Sequence, residues 1–460
     1  VSAAVSQPAP SARTLALLQD PILPMLLRLA WPNMLVMLAQ ASTGLIETFW
    51  VARLGTGALA GMAMVFPGVM LMQMVSGGAM GGGISSAIAR ALGGRRPADA
   101  DALVLHALVI NGALGAACSA AVLMFGPALY RALGGSGESL AAALAYSNVV
   151  FAGTVLLWLS NALASVIRGT GNMLFPAMVS IGGVVLLVPL SPCLIFGWGP
   201  FPQLGVAGGG TAMVGFYIGG VVAQGYYLLS GRAGVRLRLA RLRWPMFHAI
   251  LGVGAVAAIS SIQTNVTVAL TTALVGAWDG PDAVAGYGTG ARLEYLLVPL
   301  VFGLGAPLVA LVGTNVGAGQ RDRALRVAFT GGLVAFLLTE AVGLTAAAFP
   351  GAWLGLFGAD PAMLASGAAY LRAVGPAYGF FGLGLALYFA AQGAGRLVWP
   401  MLAGLLRLTV AVGGGWLALR ATGQLGWLYA ALAMGLVLYG ITIAVAVWSG
   451  SLFRRPPHAA

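Results

Sequence analysis

The sequence predicts an all-α integral membrane protein, with twelve transmembrane helices arranged as two parallel six-helix repeats. Three observations carry that prediction: composition, the spacing of apolar windows, and an internal repeat. Of 460 residues, 60% are hydrophobic and only 7% charged. A soluble chain carries roughly 25% charge. At ~20 apolar residues per crossing, twelve crossings leave only enough chain for loops and tails. A cytosolic enzyme, a nucleic-acid binder and a large extramembrane catalytic module are all excluded, even though the formal net charge of +12 could otherwise suggest an acidic polymer as partner.

The windows follow from Arg, Gly and Pro clusters that interrupt the apolar runs. The first, 31–53, ends at Arg53; the second, 60–89, stops before Arg90; the third, 102–128, ends ahead of Arg131. The fourth, 141–166, precedes Arg168, the fifth, 176–197, opens on Pro176, and the sixth, 205–229, closes before Arg232. An arginine-rich stretch then separates off the seventh, 247–277, and the glycine-containing run to Gly286 leads into the eighth, 284–316. The ninth, 327–349, follows Arg326, and the tenth is 366–391; the eleventh, 398–419, lies between Arg396 and Arg420, and the twelfth, 427–449, precedes Arg454. The domains expected are a tail and interfacial segment at 1–30, an N-lobe at 31–230, an Arg-rich connector at 231–246, a C-lobe at 247–450 and a tail at 451–460.

All 23 basic residues are arginine. Seventeen fall on the side shared with the termini, among them Arg90, Arg95, Arg96, Arg168, five between Arg232 and Arg243, and Arg321, Arg323 and Arg326. Four fall on the other side, and Arg292 and Arg407 lie inside spans. Because positive loops stay in the cytoplasm, both termini are expected there. Val1–Arg13 has no basic region followed by an apolar core and cleavage site, so a polar tail is expected rather than a signal peptide. Cys118 and Cys193 lie in apolar runs without metal-like spacing, so neither a zinc site nor a disulfide is expected.

Sliding the sequence against itself reveals the repeat. The run GTGALAG ending at Gly61 meets GPDAVAG ending at Gly286, and Gly94 and Arg96 meet Gly319 and Arg321 at the same shift. RGTGNMLFP from Arg168 meets QGAGRLVWP from Gln392, and QLG at Gln203 meets QLG at Gln424. An even number of spans per repeat gives both halves one orientation, with substrate expected in a cleft between or within them. The physical expectation is a rocker whose two bundles open alternately to each side.

These residues resemble the multidrug and toxic compound extrusion (MATE) family, in its prokaryotic branch with an acidic residue in the first span. The resemblance rests on ETFWVARLGTGALAG from Glu47, VIRGTGNMLFP ending at Pro176, SPCLIFG followed by LGVAGGG, VGTNVGAGQRDRA and the YLR at Tyr370–Arg372. It implies a V-shaped, alternating-access antiporter of the inner membrane that expels organic, often cationic, compounds in exchange for H⁺ or Na⁺. It also implies that the acid at Glu47 is the N-lobe cation site and that Pro32 marks where the first span bends. Lipid-linked-sugar flippases share the fold, so the fold alone leaves that cargo as the alternative.

Few ionisable residues lie inside spans, and each is a functional hypothesis because charge in hydrocarbon is costly. Glu47 leads, with Thr43, Thr48 and Trp50 nearby and Pro32 four turns towards the cytoplasm, where a missing backbone donor permits a bend. A carboxyl held away from water can trade a proton for a cation. The competing reading places Glu47 near the outer interface, capped by water or paired with Arg53, in a structural role. The Asn and Asp often present in the family's fifth span are Leu187 and Ser191 here, which removes oxygen ligands that sodium favours. H⁺ is therefore the expected coupling ion and Na⁺ the second choice, with no cofactor or metal.

In the C-lobe, Glu294 and Arg407 form a candidate ion pair, with Arg292 beside them and Gln263 and Asn265 adding polar capacity. Glu340 has no evident partner in the sequence, and His106 and His248 are expected at water-reached span ends. The candidate substrate cavity comprises Thr43, Met34, Met37, Gln263 and Asn265, with flexible thioethers suited to varied shapes. The run SGGAMGGG from Ser76 lacks the lysine of a phosphate loop and reads as small-residue helix packing. A flippase predicts a strongly cationic cavity, whereas only Arg292 and Arg407 are intramembrane; a membrane enzyme would need a His/Asp constellation, and none is present. The expected partners are small organic molecules and the bilayer, with no nucleic acid, and a monomer suffices.

Overall fold

The computed structural model describes residues 11–451, which are almost entirely helical. The calls on 1–10 and 452–460, parts of the two expected tails, lie outside the described residues. Helices α1 (Ala12–Gln19) and α2 (Ile22–Ala52) open the chain. Ile22–Ala30, expected within a tail and interfacial segment, are the first turns of α2 and part of the apolar stretch Ile22–Gln40. Pro21 immediately precedes that helix, and its carbonyl accepts from the Met25 amide at 3.2 Å, which begins the helical ladder.

The second crossing is α3 (Thr56–Gln73), a π-helical stretch at Met74–Met80, and α4 (Gly81–Gly93). Helix α5 is Pro97–Ala132. The fourth crossing is broken into α6 (Gly137–Ala152) and α7 (Thr154–Gly169), bent by 45° at Gly153. A Cβ at Gly153 would lie 2.5 Å from Val214 on a neighbouring helix, so the bend sits where only glycine fits. Helices α8 (Leu174–Phe196) and α9 (Val206–Leu229) complete this half.

Trp244–Gly317 is helical for 74 residues but breaks at Gly280 (φ 78°, ψ −166°), just ahead of Pro281. That left-handed turn, open to glycine at no steric cost, divides it into α10a (244–279) and α10b (281–317), where two separate spans were expected. Then come α11 (Arg321–Ala348), the short α12 (Pro350–Leu354), α13 (Pro361–Val374), a 3₁₀ turn at Gly375–Ala377, and α14 (Tyr378–Ala394). Helix α15 (Val398–Leu408), π turns at Thr409–Gly414, α16 (Gly415–Thr422) and α17 (Leu425–Trp448) end the described chain. Among the described residues, ten stretches are long and apolar enough to cross a membrane, and the bent α6–α7 pair forms an eleventh. Dividing the longest at Gly280 brings the crossings to twelve.

The chain forms two compact units. One contains 31–254 and the other 16–30 and 255–460. One boundary, Ala30/Trp31, coincides with the expected start of the N-lobe but lies inside α2; the other, Gly254/Ala255, lies inside α10a rather than in the connector expected at 231–246. The connector is strapped to α5 within the first unit: the Asp101 carboxylate accepts from the Arg236 amide at 2.8 Å and lies 3.7 Å from Arg238 Nε. Asp99 lies 3.8 Å from Arg243 Nη2. His106, expected at a wetted interface, is fully buried; one ring nitrogen is bonded to the Ala102 carbonyl and the other accepts from the Arg243 amide at 2.9 Å. The exposed His248 matches its expectation.

Small residues position the helices of the first unit. A Cβ at Gly81 would lie 2.5 Å from Ser165 Oγ, and one at Gly83 would lie 2.6 Å from the Ile250 carbonyl. Ser85 donates to the Ser165 carbonyl at 2.7 Å and Asn161 donates to Ser76 at 2.7 Å. The SGGAMGGG run is therefore a helix-packing surface, in the way small residues let membrane helices approach closely.

Candidate functional site

Glu47 projects from α2 into the interior of the first unit and is 5% exposed. Its Oε1 accepts a hydrogen bond from Tyr146 Oη at 3.2 Å. Tyr146, on α6, is itself buried, and Tyr217 on α9 lies within electrostatic reach of the carboxyl group. Gly209 on α9 completes the enclosure, because a Cβ there would stand 3.0 Å from Glu47 Oε1. Three helices thus build a carboxyl site with one direct donor, a second tyrosine close by and a glycine that makes room.

Arg53 does not pair with Glu47. Its guanidinium lies over the rings of Phe49 and Trp50, 4.5 and 4.9 Å from their centroids. Trp50 in turn meets Phe196 and Trp198 edge-on at 6.1 and 5.9 Å. The expected alternative for Glu47 is thereby replaced by cation–π contacts. Pro32 is buried, and α2 continues helically through it. Leu187 and Ser191 are both buried on α8, Leu187 in an apolar cluster with Leu194 and Ala212.

Of the expected cavity residues, Thr43 bonds its own helix at the Ala39 carbonyl, and Met34 and Met37 are half-buried. Met62 and Met80 are core residues, whereas Met70 and Met74 are exposed, so the methionines divide between packing and surface. Asn265 is exposed and returns its amide to the Ser261 carbonyl at 2.9 Å. Gln263 instead packs on α15: a Cβ at Gly404 would lie 2.5 Å from its Oε1, and its buried Nε2 has no hydrogen-bond partner.

The second unit brings Glu294 and Arg407 together, with Oε2 and Nη2 4.0 Å apart. Arg407 lies over Phe381 at 5.5 Å and Tyr439 at 5.9 Å. Tyr370 and Tyr378 stand within electrostatic reach of Glu294. Arg292 is exposed on another side, over Phe357 at 5.6 Å, and does not join this group. Glu340 does have a partner: it accepts from the Gly379 amide at 2.7 Å, at the start of α14.

Tyr146 and Tyr217, in the first unit with Glu47, and Tyr378 and Tyr439 in the second unit carry no sequence signal beyond a polar tip inside an apolar span. Among the described residues, no cluster of His, Cys, Asp and Glu could hold a metal ion.

The MatE family pattern matches residues 32–193 and again 257–417. The chain belongs to the MATE family, whose members are multi-pass membrane transporters of small molecules. The two matches are offset by 225 residues at their starts and 224 at their ends, which is the repeat seen in the sequence. A protein named FAD transporter from Shewanella oneidensis is 28% identical over 81% of this chain and 82% of its own length. A probable multidrug resistance protein NorM from Deinococcus radiodurans is 31% identical over 74% of this chain and 72% of its own. A crystal structure of MATE in the bent conformation superposes with a TM-score of 0.87 at 23% identity, covering 96% of this chain and 99% of that one. The twelve-helix transporter fold is thereby shown.

Proposed function

We propose that the protein is a secondary active efflux antiporter of the inner membrane that exports organic compounds in exchange for H⁺ carried at Glu47. The observation that carries this reading is the burial of that carboxyl group on the Tyr146 hydroxyl and against Gly209. A buried acid with one hydroxyl donor suits a proton, whereas sodium favours several oxygens, and Leu187 offers none. Proton and cargo then bind in alternation, and that competition is the coupling. Bending of α2 near Pro32 is the proposed conformational step, since a proline removes one backbone bond from the helix. The arginine distribution supports cytoplasmic termini, and one chain with two repeats suffices as a monomer. Relatives named for multidrug resistance and for FAD transport support a cargo of small organic molecules.

The test is efflux of ethidium from proteoliposomes under an imposed proton gradient and, separately, a sodium gradient. Wild type should respond to protons, and Glu47→Gln should abolish the response. Transport driven by sodium alone would replace the ion, and unaltered transport in Glu47→Gln would move the coupling site elsewhere.

A further inference from the structure

The second unit contains a cation whose hydrogen-bonding capacity the protein leaves unused. Arg407 is 13% exposed, yet its guanidinium donates no hydrogen bond among the described residues. Glu294 stands at 4.0 Å, close enough for charge attraction but beyond hydrogen-bond distance. An arginine carries five N–H donors in a fork that fits carboxylate or phosphate oxygens. A second unused donor lies close by: the buried Gln263 Nε2 is packed at Gly404. Gly404 precedes Arg407 by three residues on α15, which places the two on neighbouring positions of one helix face.

We propose that Arg407 is the recognition point for an acidic group on aromatic cargo, so that the second unit takes planar aromatic compounds bearing a carboxylate or phosphate. The polarity follows from what already occupies the aromatic surface. Phe381 and Tyr439 present their rings to the Arg407 guanidinium, the position an organic cation would need for cation–π contact. A second cation there meets a like charge in a medium that screens poorly. An anionic group meets the opposite: the free donors of the Arg407 fork, with the unpartnered Gln263 amide packed one turn away at Gly404 and the ring edges of Phe381 and Tyr439 beside the guanidinium for its aromatic body. Arg407 also stands two residues before the π turns at Thr409–Gly414, and such widened turns recur at functional sites. Glu294 then acts as the internal competitor that occupies the guanidinium's field when cargo is absent.

This inference rests on the efflux reading and names its cargo class, so the experiment carries controls for both. Proton-driven uptake into inside-out proteoliposomes with an acidic lumen is measured for three probes: riboflavin 5′-phosphate, riboflavin with the same ring and no charge, and ethidium. Wild type should favour riboflavin 5′-phosphate over riboflavin by roughly tenfold or more, the scale of a charge-assisted pair. Arg407→Gln should bring that ratio to about 1 while ethidium uptake persists, and Arg407→Lys should retain part of it, because lysine keeps the charge and loses the fork. Glu294→Gln, which leaves Arg407 in place, should raise the ratio. Ethidium uptake with no preference for the phosphate would overturn the cargo class and leave the efflux reading standing. Equal loss of all three probes in Arg407→Gln, with no rise in the ratio in Glu294→Gln, would reduce Arg407 to a structural role. If no probe moves in wild type, the efflux reading falls and the cargo class falls with it.

Discussion

Glu47 accepts one side-chain hydrogen bond, from Tyr146. A hydrogen bond to a charged group contributes about 1.5–3 kcal/mol, and tenfold corresponds to about 1.4 kcal/mol, so Tyr146→Phe should slow proton-driven efflux by roughly tenfold or more without abolishing it, giving a ranking between wild type and Glu47→Gln. Initial rates in proteoliposomes at a fixed gradient check this; a variant as fast as wild type would remove Tyr146 from the site. Gly209→Ala should be more severe than its size suggests, because the added methyl would stand 3.0 Å from Glu47 Oε1. It should lower efflux at least as far as Tyr146→Phe while the protein still purifies as a folded monodisperse species, and wild-type rates would contradict it. Glu47 was legible from sequence because an acid in an apolar run is rare. Tyr146 lies 99 residues away in sequence, and no local pattern marks that pairing.

Among elements, the informative ones are those in which a crossing departs from a regular helix. The tenth crossing, expected as one run at 366–391, is interrupted at Gly375–Ala377, where Pro376 removes a backbone donor. The orphaned amide of Gly379 is satisfied by Glu340 from α11, a side chain doing what a helix cap does at a free N-terminus. Glu340→Leu should therefore cost about 1–3 kcal/mol, the penalty for an unsatisfied buried donor, and Glu340→Gln less, since it keeps an acceptor. Thermal unfolding in detergent distinguishes them, and equal melting temperatures for the two variants would contradict the capping role. The crossing itself was readable from hydropathy. The break was not, because Gly375 meets the backbone of Gly343 on another helix, and no property of the local window encodes that approach.

For the whole molecule, the arginine distribution predicts cytoplasmic termini, an orientation that can be measured directly. Arg238 is 64% exposed in the connector, so Arg238→Cys should react with a membrane-impermeant maleimide only from the cytoplasmic side. Labelling of intact cells from outside would invert the topology. The connector also shows how a tally of charges falls short: Asp99 and Asp101 lie within ion-pair distance of Arg243 and Arg238, so these arginines serve attachment as well as orientation. The compact units divide inside helices rather than at this loop, because packing follows side-chain contacts and not the polarity of the chain between spans.

The sequence by itself determined the number of crossings, the repeat and the identity of the intramembrane acids, since each depends on local hydropathy or on residues at a fixed offset. Only the tertiary structure decided which polar groups meet. It separated Arg53 from Glu47, gave Glu340 a backbone partner, buried His106, and set Arg407 among aromatic rings with its donors free. The physical reason is that a buried polar group must be satisfied by whatever the fold brings within hydrogen-bond distance, and those partners come from helices far apart in the chain.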